Sequence, residues 1–318
     1  RPGDAALYVN RGALYARAGD LDAAIADDTT AIGLNKADAL AWRNRAAAWR
    51  AKGDIIKAGS DAVEAIRLDP NMAAAHADLA LSLQADGDMQ GAIAEFGKAI
   101  ALDPANAESL KGRGDAHLAA GDRDAAIADY TQAIGADPKL IGAFNNRGVA
   151  YLEQSRCAPA IADFTRVIGL DPTQAPAWLD RGEARARLGD APGALTDIDQ
   201  AVRLAPKSVE ALRQRAFLHQ AAGRHAASIA DYTAVIALSP NDAAAYRGRG
   251  YSELGRQRYG AAIADLTKAI GLDPKDALAY RFRSLAEAGE HDLARAVADD
   301  AAALKLDPKL PAISTVQP

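Results

Sequence analysis

Arginine recurs through this sequence at one constant interval, which is the separation of Arg113 from Arg147, or at a multiple of that interval. Aspartate recurs at the same interval. Within each period the aspartate follows the arginine at one fixed separation, as Asp129 follows Arg113. A regular row of guanidinium groups could bind phosphates, or it could form ion pairs inside the protein. The arginines are Arg11, Arg45, Arg113, Arg147, Arg181, Arg215, Arg249 and Arg283, and the aspartates are Asp27, Asp61, Asp129, Asp163, Asp197, Asp231, Asp265 and Asp299.

Each series has one exception, and the two exceptions fall in the same period. Leu79 stands where arginine is expected, and Glu95 stands where aspartate is expected. This coincidence favours pairing of each arginine with the aspartate of its own period. We therefore predict structural ion pairs, among them Arg113 with Asp129, Arg147 with Asp163 and Arg181 with Asp197.

Histidine and cysteine form no catalytic or metal-binding pattern. None of the five histidines has the spacing of a zinc-binding helix. We expect His76, His117 and His219 to lie in the core and His225 and His291 in turns between helices. Cys157 is alone, which predicts an exposed free thiol that is neither a nucleophile nor a disulfide partner. We expect no catalytic residue, no cofactor, no metal and no enzymatic activity in this chain.

The composition excludes further classes. The net charge of −5 and the pI of about 5.6 argue against a nucleic-acid-binding protein, which needs a basic surface. The chain has no apolar run of about 18 residues, so we expect no membrane insertion and a soluble protein. Arginine outnumbers lysine 26 to 11, which favours a bacterial source, with cytoplasm and periplasm both left open. The chain starts at Arg1 without a methionine, so we expect it to be a piece of a longer product.

The residues above are positioned by nine tandem units of about 34 residues, a period typical of helical repeat arrays. An Asp-Pro pair marks the end of most units, as at Asp69-Pro70 and Asp103-Pro104. Ala5 is position 1 of the first unit, and repeat positions below are counted from it. The repeats span 5–38, 39–72, 73–106, 107–140, 141–174, 175–208, 209–242, 243–276 and 277–310, followed by a short tail at 311–318.

Each unit has the signals of two helices. Positions 8 and 20 hold small residues, which lets two helices pack closely, and positions 21 and 28 hold branched aliphatic residues in nearly every unit. A glycine between the helices, as at Gly121, ends the first helix, and the proline ends the second. In the last two units Gly255 and Gly289 come two positions early. We expect their first helices to be shorter and their turns longer.

These features resemble the tetratricopeptide repeat family. The resemblance rests on the small residues at positions 8 and 20, proline at position 32, and aromatic residues at position 4 such as Tyr8, Trp42 and Trp178. It implies an all-α fold, an α-solenoid of helix-turn-helix repeats that forms one right-handed superhelical domain over residues 1–318. It also implies that the first helices line a concave groove that binds a partner protein.

The groove implied by the resemblance contains basic residues at position 5. Position 5 points nearly opposite to position 7, so Arg213, Arg247 and Arg281 should form a row along the C-terminal part of the groove. Gln214 and Gln220 flank this row, and Phe217, Tyr251 and Phe282 offer apolar contacts. A solvated face is the competing interpretation. Repeats one to five carry a net charge of −6 and residues 175–318 carry +1, which favours an acidic ligand at that end.

Two functions remain open from the sequence. The first is an interaction scaffold that holds a segment of another protein in its groove. The alternative is the substrate-recognition arm of a larger enzyme whose catalytic domain is not in this chain. The family's carboxylate clamp for chaperone tails is not supplied by any three units, because Asp115 follows Lys111 where asparagine is needed. Homo-oligomers through uncapped ends of the array are also compatible with the sequence.

Overall fold

The computed structural model describes residues 3–310, which form eighteen α-helices and no strand. About 80% of the described residues are helical. Consecutive helices pack as antiparallel pairs, one pair per predicted repeat, so the predicted all-α fold of tandem helix pairs is confirmed. The helices are α1 (Ala5–Ala18), α2 (Leu21–Leu34), α3 (Ala39–Ala51), α4 (Ile55–Leu68), α5 (Ala73–Asp86), α6 (Met89–Leu102), α7 (Ala107–Ala119), α8 (Arg123–Ala136), α9 (Ile141–Glu153), α10 (Cys157–Leu170), α11 (Ala175–Arg187), α12 (Ala191–Leu204), α13 (Val209–Ala221), α14 (His225–Leu238), α15 (Ala243–Gly255), α16 (Tyr259–Leu272), α17 (Ala277–Gly289) and α18 (Leu293–Leu306).

The helices belong to two compact units. Unit 1 is Arg1–Leu170 and contains α1 to α10, and unit 2 is Asp171–Pro318 and contains α11 to α18. Each unit is described by itself below. The single domain over residues 1–318 and the right-handed superhelix stay predictions, and the tail at 311–318 lies outside the described residues.

Helix ends follow the sequence signals. At the start of α8 the side chain of Asp122 accepts a hydrogen bond from the backbone N–H of Ala125 at 3.1 Å, which satisfies one of the free N–H groups of the first turn. At the end of α7 Gly121 takes the left-handed conformation with φ +85°, and its N–H donates to the carbonyl of Leu118 at 3.0 Å. The chain therefore reverses within a short turn.

The prediction of shorter first helices in the last two units is wrong. The helices α15 and α17 have 13 residues each, like α3 and α7, and the left-handed position is taken by Gln257 at φ 57° and His291 at φ 66°. Gly255 is needed for packing instead, because a Cβ on it would lie 2.5 Å from Cε1 of His225 in the preceding repeat. Gly289 adjoins the ring of Tyr259 in the same way. The displaced glycines therefore mark close helix contacts.

The core of each repeat forms where small residues face large ones. Ala126 and Ala160 at position 20 are fully buried. At position 8, a Cβ on Gly114 would lie 2.7 Å from the ring of Tyr130, and one on Gly148 would lie 2.8 Å from the ring of Phe164. Glycine at position 8 thus accommodates the side chain at position 24 of the same repeat. This packing fixes the first helix against the second.

Candidate functional site

The arginine and aspartate rows form ion pairs inside the repeats. In the eight repeats that hold both residues, the arginine Nε and Nη2 donate to the two carboxylate oxygens at 2.5 to 2.9 Å. The pairs Arg113–Asp129, Arg147–Asp163 and Arg181–Asp197 are all present. The hydrogen bond from Arg113 to Asp129 raises the pKa of Arg113. These guanidinium groups are therefore committed to their partners in the fold.

The same arginines also connect neighbouring repeats. Nη1 of Arg147 donates to the hydroxyl of Thr131 in the preceding repeat at 2.9 Å, and Arg283 reaches Thr267 at 3.0 Å. An aromatic ring one turn before the arginine lies under the guanidinium in several repeats, as in Trp42, whose ring centroid is 4.9 Å from Cζ of Arg45. The ion pairs therefore stabilise both the packing within a repeat and its contact with the preceding repeat.

The third repeat replaces the pair with another contact. Glu95 lies 2.7 Å from Nδ1 of His76 and accepts from Lys98 at 2.6 Å. His76 is buried, and its Nε2 lies 3.0 Å from the carbonyl of Pro70. The histidine bridges two groups of the fold, which is a structural role.

The predicted row of groove arginines is only partly available to a partner. The side chains of Arg213 and Arg247 are 40% and 33% exposed, and each donates at 2.7 Å to an aspartate that caps the next first helix, Asp242 and Asp276. The prediction for Arg281 is wrong, because its side chain is only 3% exposed and its Nε lies 3.0 Å from Oδ1 of Asp300. This aspartate holds the guanidinium inside the repeat, so Arg281 cannot contact a ligand.

Two adjoining pockets on unit 2 contain the other seven predicted residues. The first pocket has a volume of about 430 Å³, and the second about 520 Å³. Both are open to solvent and lie between the first helices of the repeats. The first is lined by Phe217, Gln220, Tyr251, Phe282 and Arg247 among others, and the second by Arg213, Gln214, Phe217 and Arg247 among others. We call this pair of pockets the unit 2 groove.

Four residues line both pockets, and Phe217 and Arg247 are the two among them that come from the predicted groove residues. Phe217 is 62% exposed on α13 and lines both, and Arg247 on α15 also lines both. Nη1 of Arg247 donates to Asp276, whereas Nη2 has no hydrogen-bond acceptor among the described residues. In the first pocket Tyr251 and Phe282 pack with ring centroids 4.7 Å apart. The groove therefore combines exposed aromatic surface with a free donor.

The sequence did not point to Tyr232, which lies between the two pockets. It comes from the second helix α14, is 5% exposed, and lines both pockets. A Cβ on Gly248 would collide with Cζ of Tyr232, so glycine at this position lets the ring reach the groove. Tyrosine at position 24 followed by glycine at position 6 of the next repeat is the signal that could have found it.

The remaining candidates take no part in a catalytic arrangement within residues 3–310. Cys157 is buried at the start of α10, so the prediction of an exposed thiol is wrong. Its Sγ packs 3.7 Å from the carbonyl of Ser155, whose left-handed conformation turns the chain into that helix. In the described range no three metal-ligating side chains come together, and no helix there is long and apolar enough to cross a membrane.

Comparison with known proteins places the repeats in one family. The tetratricopeptide repeat family matches residues 77–141, 145–209, 214–277 and 249–311. No curated protein matches the sequence significantly.

Among solved structures, the pilus biogenesis factor PilW is 21% identical with a TM-score of 0.60, covering 65% of this chain and 96% of PilW. A tetratricopeptide repeat protein from Parabacteroides merdae is 23% identical with a TM-score of 0.55, covering 73% and 92%. YrrB, described as having an unusual peptide-binding site, is 22% identical with a TM-score of 0.52, covering 59% and 97%. These likenesses show the fold, and the family match over most of the sequence shows that the chain belongs to the tetratricopeptide repeat family.

Proposed function

We propose that the unit 2 groove binds an extended segment of a partner protein. The observation that carries the proposal is the pair of adjoining pockets with the exposed Phe217 between them. Solenoid repeats recur at regular intervals, so equivalent pockets suit successive side chains of an extended ligand. YrrB, a family relative, is described as having a peptide-binding site, which supports the same class of ligand.

Apolar contacts supply most of the affinity in this proposal. The first pocket is lined mostly by aromatic and aliphatic side chains, and Phe217 contributes to both pockets. Aromatic anchors in desolvated pockets dominate the binding energy of most interfaces. A partner side chain that enters the first pocket would pack against the paired rings of Tyr251 and Phe282.

An acidic residue of the partner fits the centre of the groove. Arg247 lines both pockets and keeps Nη2 free, and Arg213 adds a second partly exposed guanidinium at the edge of the second pocket. Because Asp242 and Asp276 already neutralise part of this charge, the arginines mainly set the register and rate of association. In this proposal the row of groove arginines consists of Arg213 and Arg247, and Arg281 takes no part.

A peptide selection tests the proposal. Peptides of random sequence are selected for binding to the chain, and the affinity of the best peptide is measured by fluorescence anisotropy. Phe217→Ala should weaken binding by about 30-fold, the loss of an anchor worth about 2 kcal/mol. Val297→Ala is the matched control, since Val297 is 69% exposed on α18 away from the pockets. Equal affinities of the two variants would place the binding surface elsewhere.

A further inference from the structure

Asp28 on α2 is a buried carboxylate with no partner. It is 1% exposed, its Oδ1 has no hydrogen-bond partner, and no hydrogen bond or ion pair to it is found among the described residues. A buried charged group left without a partner is costly, so natural proteins rarely retain one without a reason. Burial, and then the charge of Asp27, raise the pKa of Asp28 to about 7.

The carboxylate lines a polar pocket on unit 1. This pocket has a volume of about 350 Å³ and lies between α1 and α3, with Asp28 contributed from α2. Asn10 and Asn44 bring amide groups to its wall, and Arg17 and Arg43 also line it. Arg43 is already held by Asp78 at 2.8 Å. The pocket therefore offers two amide oxygens as acceptors beside an unsatisfied acid.

The ninth repeat shows what such an aspartate binds. Asp28 and Asp300 both occupy position 24, where the other repeats have Ala62, Phe96, Tyr130, Phe164, Ile198, Tyr232 and Leu266. In the ninth repeat Arg281, at position 5, supplies a guanidinium 3.0 Å from Asp300. In the first repeat position 5 is Val9, which has no charge to offer. The first repeat thus has the acid of this pair without the arginine.

We propose that this pocket receives the arginine side chain of a partner segment, whose guanidinium pairs with Asp28. The ligand would supply the guanidinium group that Arg281 supplies within the ninth repeat. The amide oxygens of Asn10 and Asn44 can accept its remaining N–H groups. The net charge of −6 over repeats one to five favours a basic segment at this end. This pocket shares no lining residue with the unit 2 groove, and the proposal does not depend on the function proposed for that groove.

The test uses two peptides that differ in one group. Acetyl-Ala-Ala-Arg-Ala-Ala-amide and its citrulline counterpart, which is isosteric and neutral, are titrated into the labelled chain and followed by the backbone NMR signals of Gly12 and Asn44. Because hydrogen bonds between charged groups are the stronger ones, the arginine peptide should bind about tenfold more tightly. No response to the arginine peptide, or equal affinities of the two peptides, would overturn the proposal.

Variants separate this pocket from general charge effects. Asp28→Asn keeps the shape of the side chain and removes its charge. In this variant the affinity of the arginine peptide should fall to that of the citrulline peptide. Asp22→Asn removes the same charge from an exposed position of α2 and should change nothing at the pocket. Val9→Arg copies the arrangement of the ninth repeat and should block binding. Retained tight binding in Asp28→Asn would refute the role of this carboxylate, whether or not Val9→Arg folds.

Binding should also depend on pH. The charges that act on Asp28 are those of Asp27, Asp38 and Asp61, which raise its pKa, and of Arg45, which lowers it, while Arg17 and Arg43 line the pocket. As the pH rises from 5.5 to 8 the carboxyl group ionises, so the affinity of the arginine peptide should increase. The citrulline peptide should show little change. An arginine-peptide affinity that is constant over this range contradicts an ion pair with Asp28.

Discussion

Breaking an Arg–Asp pair should lower the free energy of unfolding more in the fifth repeat than in the first. In the fifth repeat the side chains of Arg147 and Asp163 are 15% and 6% exposed, and Arg147 also donates to Thr131. In the first repeat the side chain of Arg11 is 56% exposed, although the pair with Asp27 has the same geometry. Arg147→Met leaves a buried carboxylate unpaired, which costs about 3 kcal/mol. Arg11→Met also unpairs a carboxylate that is 9% exposed, but water reaches the Arg11 side of this pair and can replace part of the lost contact, so the variant should be destabilised less than Arg147→Met.

Urea denaturation followed by circular dichroism measures both free energies of unfolding. The double variant Arg147→Met with Asp163→Leu completes a thermodynamic cycle, and it should cost less than the two single variants together because no charge is left unpaired. Both sites lie in unit 1, so they are compared within the same compact unit. Equal costs of Arg147→Met and Arg11→Met, or strictly additive effects in the cycle, would refute the reasoning.

Three further outcomes are expected. Burial raises the pKa of Asp28 in the folded state from the ordinary 3.8 to about 7, so the free energy of unfolding should fall by roughly 4 kcal/mol as the pH rises from about 4 to 8, and Asp28→Asn should remove this slope in thermal unfolding. Gln257 has φ 57°, so Gln257→Gly should raise the free energy of unfolding by about 1 kcal/mol, whereas Gln84→Gly inside α5 should lower it. Replacing Arg213 and Arg247 by alanine should reduce the salt dependence of peptide association, measured by stopped-flow at two salt concentrations, and an unchanged salt dependence would show that these arginines do not steer the ligand.

The fold could be predicted because the same residue pattern recurs from repeat to repeat. The constant period, the small residues at positions 8 and 20 and the turn glycines each require the same pair of helices. The missing pair in the third repeat was informative for the same reason, since Leu79 and Glu95 change together. Nine copies of one unit act as their own comparison, which makes local packing readable from one sequence.

The errors arose where a residue has two structural uses. The repeat pattern predicts that Gly255 ends its helix early, but the ring of His225 requires glycine there and Gln257 takes the left-handed conformation of the turn. The repeat position of Arg281 predicts a side chain in the groove, but the ion pair with Asp300 keeps this side chain inside the repeat. An aspartate at position 24 is the visible departure that could have warned of this. Such contacts depend on which side chain faces which, and the period alone does not specify them.

The binding role of the groove residues stays a prediction, and the structure shows only where their side chains lie. Seven of the eight predicted residues line the two pockets, yet the contribution of Tyr232 from a second helix was not anticipated. The family pattern assigns the groove to first helices. A long side chain at position 24 can pass between them only where the facing residue is as small as Gly248.

Peptide binding to Ala244→Trp decides whether the unit 2 groove is the binding surface. Ala244 lies at position 2 and lines both pockets, so an indole there fills the groove without removing any contact of the fold. Ala6→Trp is the matched control, since Ala6 is at position 2 of the first repeat and lines neither pocket. We predict that the selected peptide loses at least about 30-fold in affinity for Ala244→Trp and binds Ala6→Trp like the wild type. Undiminished binding to a folded Ala244→Trp variant would contradict the assignment of the unit 2 groove as the binding surface.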